Sequence, residues 1–254
     1  MSLATIAGLP INKVTEHPPF FNMLVYGESG VGKTTLAGSA DEVAEMRKVL
    51  IIDIEGGTLS IRKKFPNVEV VRVKNWPDLQ LVYDELYAGL HDFSTIIIDS
   101  LTECQKMSMD AVMKKLVNQY EDRDPDVPGI REWNINIEQT RKFVRLFRDL
   151  PMNTIFTTLC KTDKNMNTGA IRRKPSLSGK VADEVAGFLD IVTYLYTKEE
   201  PSNPGHYIRV LLCGNTESEV AKDRTDLLPL TIPNPTMNVI WNAVKGIKTN
   251  EQPA

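Results

Sequence analysis

A chain of 254 residues with 42% apolar content can bury the core of one large α/β domain or two small ones. Its formal net charge of −3 excludes the overall basic excess that marks nucleic-acid binding by itself, so any polyanion site must be a local patch. Cys104, Cys160 and Cys213 form no CxxC pair, which speaks against a zinc site or disulfide framework and for a reducing, cytoplasmic compartment. The first 20 residues carry prolines where a signal peptide needs an unbroken apolar stretch, and no run reaches membrane-spanning length.

Residues 1–21 read as an irregular lead-in, 22–246 as a single domain and 247–254 as a flexible tail. Short apolar runs predict buried strands at 22–26, 49–54, 68–73, 95–99, 154–158, 191–196 and 207–213. Helical patterns are expected over 33–47, 77–91, 101–120, 135–150, 181–188 and 237–244. This alternation predicts an α/β fold, a mostly parallel twisted sheet with helices on both faces. Two stretches read as irregular: the acidic 121–129, with two prolines, and the polar, basic 161–180.

Gly27-Glu28-Ser29-Gly30-Val31-Gly32-Lys33-Thr34 follows the first apolar strand, opens a helix and fits GxxxxGK[ST], with Thr35 next in line. Glycines let the backbone turn its N–H groups toward phosphates, Lys33 reaches the β/γ oxygens, and the Thr34 hydroxyl suits Mg²⁺. The chemistry this pattern serves is nucleoside triphosphate binding, with ATP and Mg²⁺ as the expected ligands.

Two carboxylates stand where strands end. The run 93–98 is largely apolar and delivers Asp99, placed to orient a water on Mg²⁺ or to cap the following helix, a task Ser100 can also perform. The strand at 49–54 delivers Asp53-Ile54-Glu55-Gly56-Gly57. Glu55 is the candidate general base for the attacking water, with a plain turn carboxylate as the alternative, and Asp53 is suited to fixing the turn.

These parts, in this order and spacing, resemble the RecA-like ATPases: a phosphate loop, an Asp-x-Glu after the next strand, and an apolar strand closing with Asp-Ser. Within that group the likeness falls on phage nucleotide-binding proteins of the Sak type, RecA-core single-strand annealing and recombination proteins. It extends to Ser178-Gly179-Lys180, Gly187-Phe188-Leu189-Asp190-Ile191 and Ala221-Lys222-Asp223-Arg224, over about residues 20–246. The resemblance implies a RecA-like P-loop NTPase core in which the 154–158 strand lies between the Asp99 strand and the phosphate-loop strand. It implies self-association into a ring or filament, with Lys222 and Arg224, and secondarily Lys180, reaching a neighbour's nucleotide. It further implies single-stranded DNA as partner, a single-strand binding protein as a possible companion, and the cytoplasm of a phage-infected bacterial host. The 154–158 strand ends in Thr157-Thr158-Leu159-Cys160 in place of the Asn-Gln of strand-exchange proteins. Thr158 is the candidate contact to the γ-phosphate, and annealing or loading is favoured over full strand exchange.

The segment 161–180 holds Lys161, Lys164, Arg172, Arg173, Lys174 and Lys180 against Asp163 alone. Following the strand where a DNA-binding loop emerges in the resembled family, Lys161, Lys164, Arg172, Arg173 and Lys174 are its candidate phosphate contacts. A solvated charge run and a subunit-contact loop remain alternatives, and no aromatic residue interleaves for stacking. Other functions stay open. Asp53-Ile54-Glu55-Gly56 with Cys160-Lys161-Thr162-Asp163 mimics a GTPase switch, although Cys160 replaces a guanine-reading Asn. A nucleotide kinase would use 172–174 as a lid, and a nucleotide-gated module would bind without turnover. The AAA+ class ranks lower because Ser100, not Glu, follows Asp99, and the MinD-like class because Glu28-Ser29 replaces Lys-Gly. The three histidines, Met107, Met109, Met113 and the three tryptophans are read as structural.

Overall fold

The computed structural model describes residues 5–7, 9–11, 20–120, 122–164, 169–200 and 202–246. Most of the lead-in and the whole of 247–254 lie outside these residues. Within the lead-in, β1 (Thr5–Ile6) pairs antiparallel with β2 (Leu9–Pro10), a short hairpin where an irregular segment was expected.

The main sheet is built from β3 (Asn22–Gly27), β4 (Val49–Asp53), β5 (Glu69–Arg72), β6 (Thr95–Asp99), β7 (Asn153–Lys164), β9 (Ile191–Glu199), β10 (Tyr207–Leu212) and β12 (Thr231–Pro233). Two short strands join from outside this row: β8 (Ile171–Pro175) pairs with β7 and β11 (Lys222–Asp223) with β9. The strand order is β12-β10-β9-β3-β7-β6-β4-β5, so β7 lies between the Asp99 strand and the phosphate-loop strand. Strands β5 to β9 along this row are parallel, and β10 and β12 add an antiparallel wing. This is the P-loop NTPase architecture, mixed α/β with a mostly parallel central sheet.

Strand alternation divides the core in two. Met23, Val25, Ile51, Ile97, Ile155 and Leu211 pack with α1 (Lys33–Gly38) and α6 (Met237–Val244). Leu24, Tyr26, Ile52, Ile98 and Phe156 pack with α2 (Trp76–Ala88), α3 (Leu101–Gln119), α4 (Ile130–Arg148) and α5 (Val181–Phe188). Burial on both faces explains why these strands read as unbroken apolar runs. Each fully buried Ile or Leu contributes about 1.5–3 kcal/mol by leaving water, so this core, and no surface ion pair, dominates stability.

Three elements depart from expectation. The helix predicted over 33–47 ends at Gly38 and continues as 3₁₀ turns at Ser39–Glu42 and Ala44–Met46. Gly38 packs against Phe65, where a Cβ would fall 3.0 Å from the ring, and the Ser39 hydroxyl accepts from the Met237 N–H at 2.8 Å. These tertiary contacts turn the chain. Helix α4 starts at Ile130, five residues before the expected 135, because the Glu132 carboxylate accepts from the Gly129 N–H at 2.8 Å and pairs with Arg123 at 3.0 Å. The third departure is the basic segment. Residues Cys160–Lys164 pair antiparallel with Ile171–Pro175, making a β-ladder of nearly half of what read as an irregular loop.

Candidate functional site

Strand β3 delivers Gly27 to the C-terminal edge of the sheet, where a Cβ would fall 2.3 Å from the Leu195 carbonyl oxygen of β9. Only glycine fits that approach. Gly30 and Gly32 adopt φ of 76° and 106°, the left-handed conformations that fold Gly27 to Gly32 into a compact loop ahead of α1. Glu28, Ser29 and Gly30 are exposed, Val31 and Lys33 buried, and Gly32, Thr34 and Thr35 half-buried.

Lys33 folds back over this loop, its Nζ donating to the carbonyls of Gly27 at 3.0 Å and Glu28 at 2.8 Å. Burial pushes its ammonium below the ordinary lysine value, opposed by the negative charges of Glu55, Asp99 and Glu28. Thr34 Oγ1 donates to Asp99 Oδ2 at 2.8 Å, and the Thr157 hydroxyl donates to Asp99 Oδ1. Hydroxyl and carboxylate oxygens in this arrangement are the donor set that a magnesium ion takes. The residues present fit that ion, with Thr34 and Asp99 as the groups to hold it.

The turn after β4 sits beside them because Asp53 and Asp99 are register partners on neighbouring strands. Asp53 is spent on structure: its Oδ1 accepts from the Gly56 N–H at 2.6 Å and its Oδ2 from Arg72 at 2.8 Å. This leaves Glu55 exposed at the site, with Ser100 donating a hydrogen bond to its Oε1. Ser100 also caps α3 by accepting from the Glu103 N–H. The Glu55 carboxylate, two residues beyond the end of β4, therefore stands next to the Asp99-Ser100 pair.

Other expected residues fall elsewhere. Thr158 lies on the Phe156 face of β7, opposite the face shared by Asp53, Asp99 and Thr157, and its hydroxyl donates to the Leu159 carbonyl at 3.0 Å. The pleat puts Thr157 on the Asp99 side of β7, where its hydroxyl donates to that carboxylate. Lys222 donates to the carbonyls of Ala186 and Leu189, and Arg224 to the Gly187 carbonyl and the Asp190 carboxylate, so both close off the C-terminal end of α5. They sit at the start of β9, the opposite edge of the sheet from the phosphate loop, and are engaged within their own chain. Lys180 is exposed just before α5.

In the β7–β8 hairpin, Lys174 is held by Asp163 at 2.7 Å and Asp183 at 3.4 Å, and Arg173 by Glu219 at 2.7 Å. Lys161 donates to the Leu177 carbonyl. The free run of three cations read at 172–174 is corrected: two of the three neutralise carboxylates that only the fold brings near. Lys164 and Arg172 are exposed and form no ion pair among the described residues. Asp163, needed by a GTPase reading to recognise guanine, is the partner of Lys174.

Sequence reasoning missed Thr157, which counting the pleat from Ile155 would have found, and Arg209. From β10, 178 residues away, Arg209 Nε donates to the Val31 carbonyl at 2.8 Å; nothing local in sequence signals that contact.

A protein-family model described as an AAA domain matches residues 20–225. The low rank given to that class on the strength of Ser100 is thereby corrected. No curated protein matches the sequence. Among solved structures, an ATPase from the type III secretion system of pathogenic bacteria is similar at 18% identity and a TM-score of 0.45, covering 69% of this chain and 51% of its own. The assembled ATPase EscN from the type III secretion system of enteropathogenic E. coli is similar at 17% identity and a TM-score of 0.43, covering 70% and 43%. This chain spans about half the length of those two. No helix among the described residues is long and apolar enough to cross a membrane.

Proposed function

Because this chain belongs to the AAA domain family of P-loop ATPases, matched over residues 20–225, we propose that it hydrolyses ATP with Mg²⁺. The observation that carries this reading is the convergence of Lys33, Thr34, Asp99 and Glu55 around the glycine-rich loop. The loop's N–H groups and Lys33 bind and orient the triphosphate, replacing its present carbonyl partners with phosphate oxygens. Thr34 and Asp99 hold the metal, whose chemistry when bound is to neutralise phosphate charge. Glu55 accepts the proton of the attacking water as the water oxygen bonds to the γ-phosphorus and the β–γ bridging bond breaks, leaving ADP and inorganic phosphate. Thr157 positions Asp99.

Action on single-stranded DNA in phage-type recombination or annealing, and assembly into a ring or filament, are the finer part of this proposal and rest on the resemblance to RecA-core annealing proteins. Lys164 and Arg172 on the hairpin support it as exposed phosphate contacts.

The deciding experiment is turnover of ATP and of GTP by the full chain, with and without single-stranded DNA, recording oligomer mass in each condition. Phosphate release that requires Mg²⁺ and disappears in Lys33→Ala is the expected result. Tight ATP binding without release would establish a nucleotide-gated module, marked GTP preference a switch, and phosphate transfer to a small acceptor a kinase.

A further inference from the structure

Three parallel strands end in one row: β6 with Asp99, β4 with Asp53 and β5 with Arg72, each the register partner of the next. Register partners put their side chains on the same face of a sheet, so the row sets two carboxylates side by side. Both are buried, Asp53 at 3% exposure and Asp99 at 2%, with little water to screen one from the other. Asp99 accepts from the uncharged hydroxyls of Thr34 and Thr157. The compensating cation comes from the outermost strand of this end, where the half-exposed Arg72 donates from Nη1 to Asp53 Oδ2 at 2.8 Å.

The same guanidinium lies over the turn that carries Glu55. A Cβ on Gly56 would fall 2.4 Å from Arg72 Nη1 and 2.9 Å from Nη2, and Gly56 holds φ of 85°, so the position excludes a side chain on two counts. On the opposite side, a Cβ on Gly57 would sit 3.8 Å from Asp99 Oδ2, an ordinary van der Waals contact. The Ile54 and Glu55 N–H groups donate to the Asp99 carbonyl at 2.9 and 3.3 Å, and the Gly56 N–H donates to Asp53 Oδ1 at 2.6 Å. The turn is thus wedged between Asp99 and Arg72.

All the other holds on this turn come from β4, β6 and Ser100. Arg72 alone reaches it from β5. Without this cation Asp53 would be left buried beside Asp99 with no counter-charge, the costly way to break such a pair. Taking up a proton or swinging toward water would relieve Asp53, and either change weakens the charge-assisted bond that fixes Gly56. One face of the turn would then be open, while the phosphate loop, on another strand, would keep its shape.

We infer that Arg72 is a positioning residue for the hydrolytic step: by pairing with Asp53 and covering Gly56 it holds the 54–57 turn, and with it the Glu55 carboxylate, in place beside Asp99 and Ser100. This rests on the ATPase reading and deepens it, adding the group that fixes the aim of the base. A displacement of about 1 Å in a group that orients the attacking water can cost on the order of 10²-fold in rate, so a small relaxation of the turn is enough to be measured.

The test is a double-mutant cycle on the single-turnover rate, with the full chain in excess over MgATP, beside calorimetric MgATP affinity. Arg72→Ala lowers the rate about 10- to 100-fold and leaves affinity within about threefold. Arg72→Lys keeps the charge but not the planar fork over Gly56; its rate lies between those of Ala and wild type, and it takes the place of Ala in the cycle if that variant fails to fold. Gly56→Ala, which drives a Cβ into the guanidinium, repeats the pattern of slow turnover and retained affinity. In a Glu55→Gln background the Arg72 substitution lowers the rate further by no more than about threefold, because the group it positions is already lost. A chain that merely folds less well loses the same fraction of active molecules in both backgrounds. An equal loss in both backgrounds therefore overturns the inference, as does an unchanged rate in Arg72→Ala, or weaker MgATP binding with the rate retained. Any of these beside wild-type turnover leaves the ATPase reading standing, whereas a wild-type chain without turnover ends both.

Discussion

Thr34 Oγ1 and Asp99 Oδ2 stand 2.8 Å apart, joining the first turn of α1 to the end of a strand 65 residues further along the chain. The pairing preorganises two oxygen donors, and it depends on β7 separating β3 from β6 in the sheet. Thr34→Ala and Asp99→Asn should each raise the Mg²⁺ concentration for half-maximal turnover by about tenfold or more, the loss that removing a metal-orienting group brings. A magnesium titration at saturating ATP checks this, and an unchanged midpoint would remove both residues from the metal.

Glu55 has a different task. Glu55→Gln preserves shape and hydrogen bonding but not basicity, so nucleotide affinity should hold within about threefold while kcat falls about 10²–10⁴-fold, the usual worth of a general base. Single-turnover kinetics beside equilibrium binding separates the two effects. Full activity in this variant would leave Glu55 as a turn residue.

The two adjacent threonines of β7 give an internal control. Thr157→Val removes a donor to Asp99 and should reduce kcat about tenfold or more, whereas Thr158→Val removes only a bond to the Leu159 carbonyl and should leave kcat within about twofold. The reverse order of effects would restore Thr158 as the γ-phosphate contact.

If the β7–β8 hairpin meets single-stranded DNA, Lys164 and Arg172 neutralise its phosphates. Replacing both with Ala should flatten the slope of log affinity against log salt by about 1.4, about 0.7 for each phosphate that keeps its counterion. Arg173→Ala and Lys174→Ala should instead lower thermal stability, since both are paired within the fold. An unchanged slope in the first pair takes the hairpin out of any DNA site.

Glu219 links that hairpin to the segment before β11. Burial works against its charge, but bonds from Thr216, Ser218 and Arg173 outweigh this and hold the carboxyl below its ordinary value of 4.5. A depressed folded value means that the unfolded chain takes up the proton first. The stabilisation is thus complete above the ordinary carboxylate range and is lost as pH falls through the folded value. Wild type should melt about 2–4 °C above Glu219→Gln near neutral pH, and the gap should close in acid; a constant gap would mean that ionisation plays no part.

The local parts of this molecule were legible in its sequence. The phosphate loop, the Asp99 strand and α6 were readable because each depends on contiguous residues, and the β7 position followed from the RecA-like resemblance. Whatever depends on a distant partner was not. The β7–β8 hairpin has no apolar alternation to announce it; it is held by carboxylates from 163, 183 and 219 that no window contains together. Lys222 and Arg224 matched a trans-acting pattern, and the end of α5, brought beside them by the fold, engages both through its carbonyls. The early end of α1 depended on Phe65 and Met237, which lie 27 and 199 residues beyond Gly38.

The contact between Gly27 and the Leu195 carbonyl has a consequence for what this chain can become. Entry to the loop and the outer strands share one surface with no spare room, so neither can shift without displacing the other. A saturation library at position 27 should return a single functional survivor. A shape change that begins at the nucleotide would find its shortest mechanical route along β9 into the antiparallel wing.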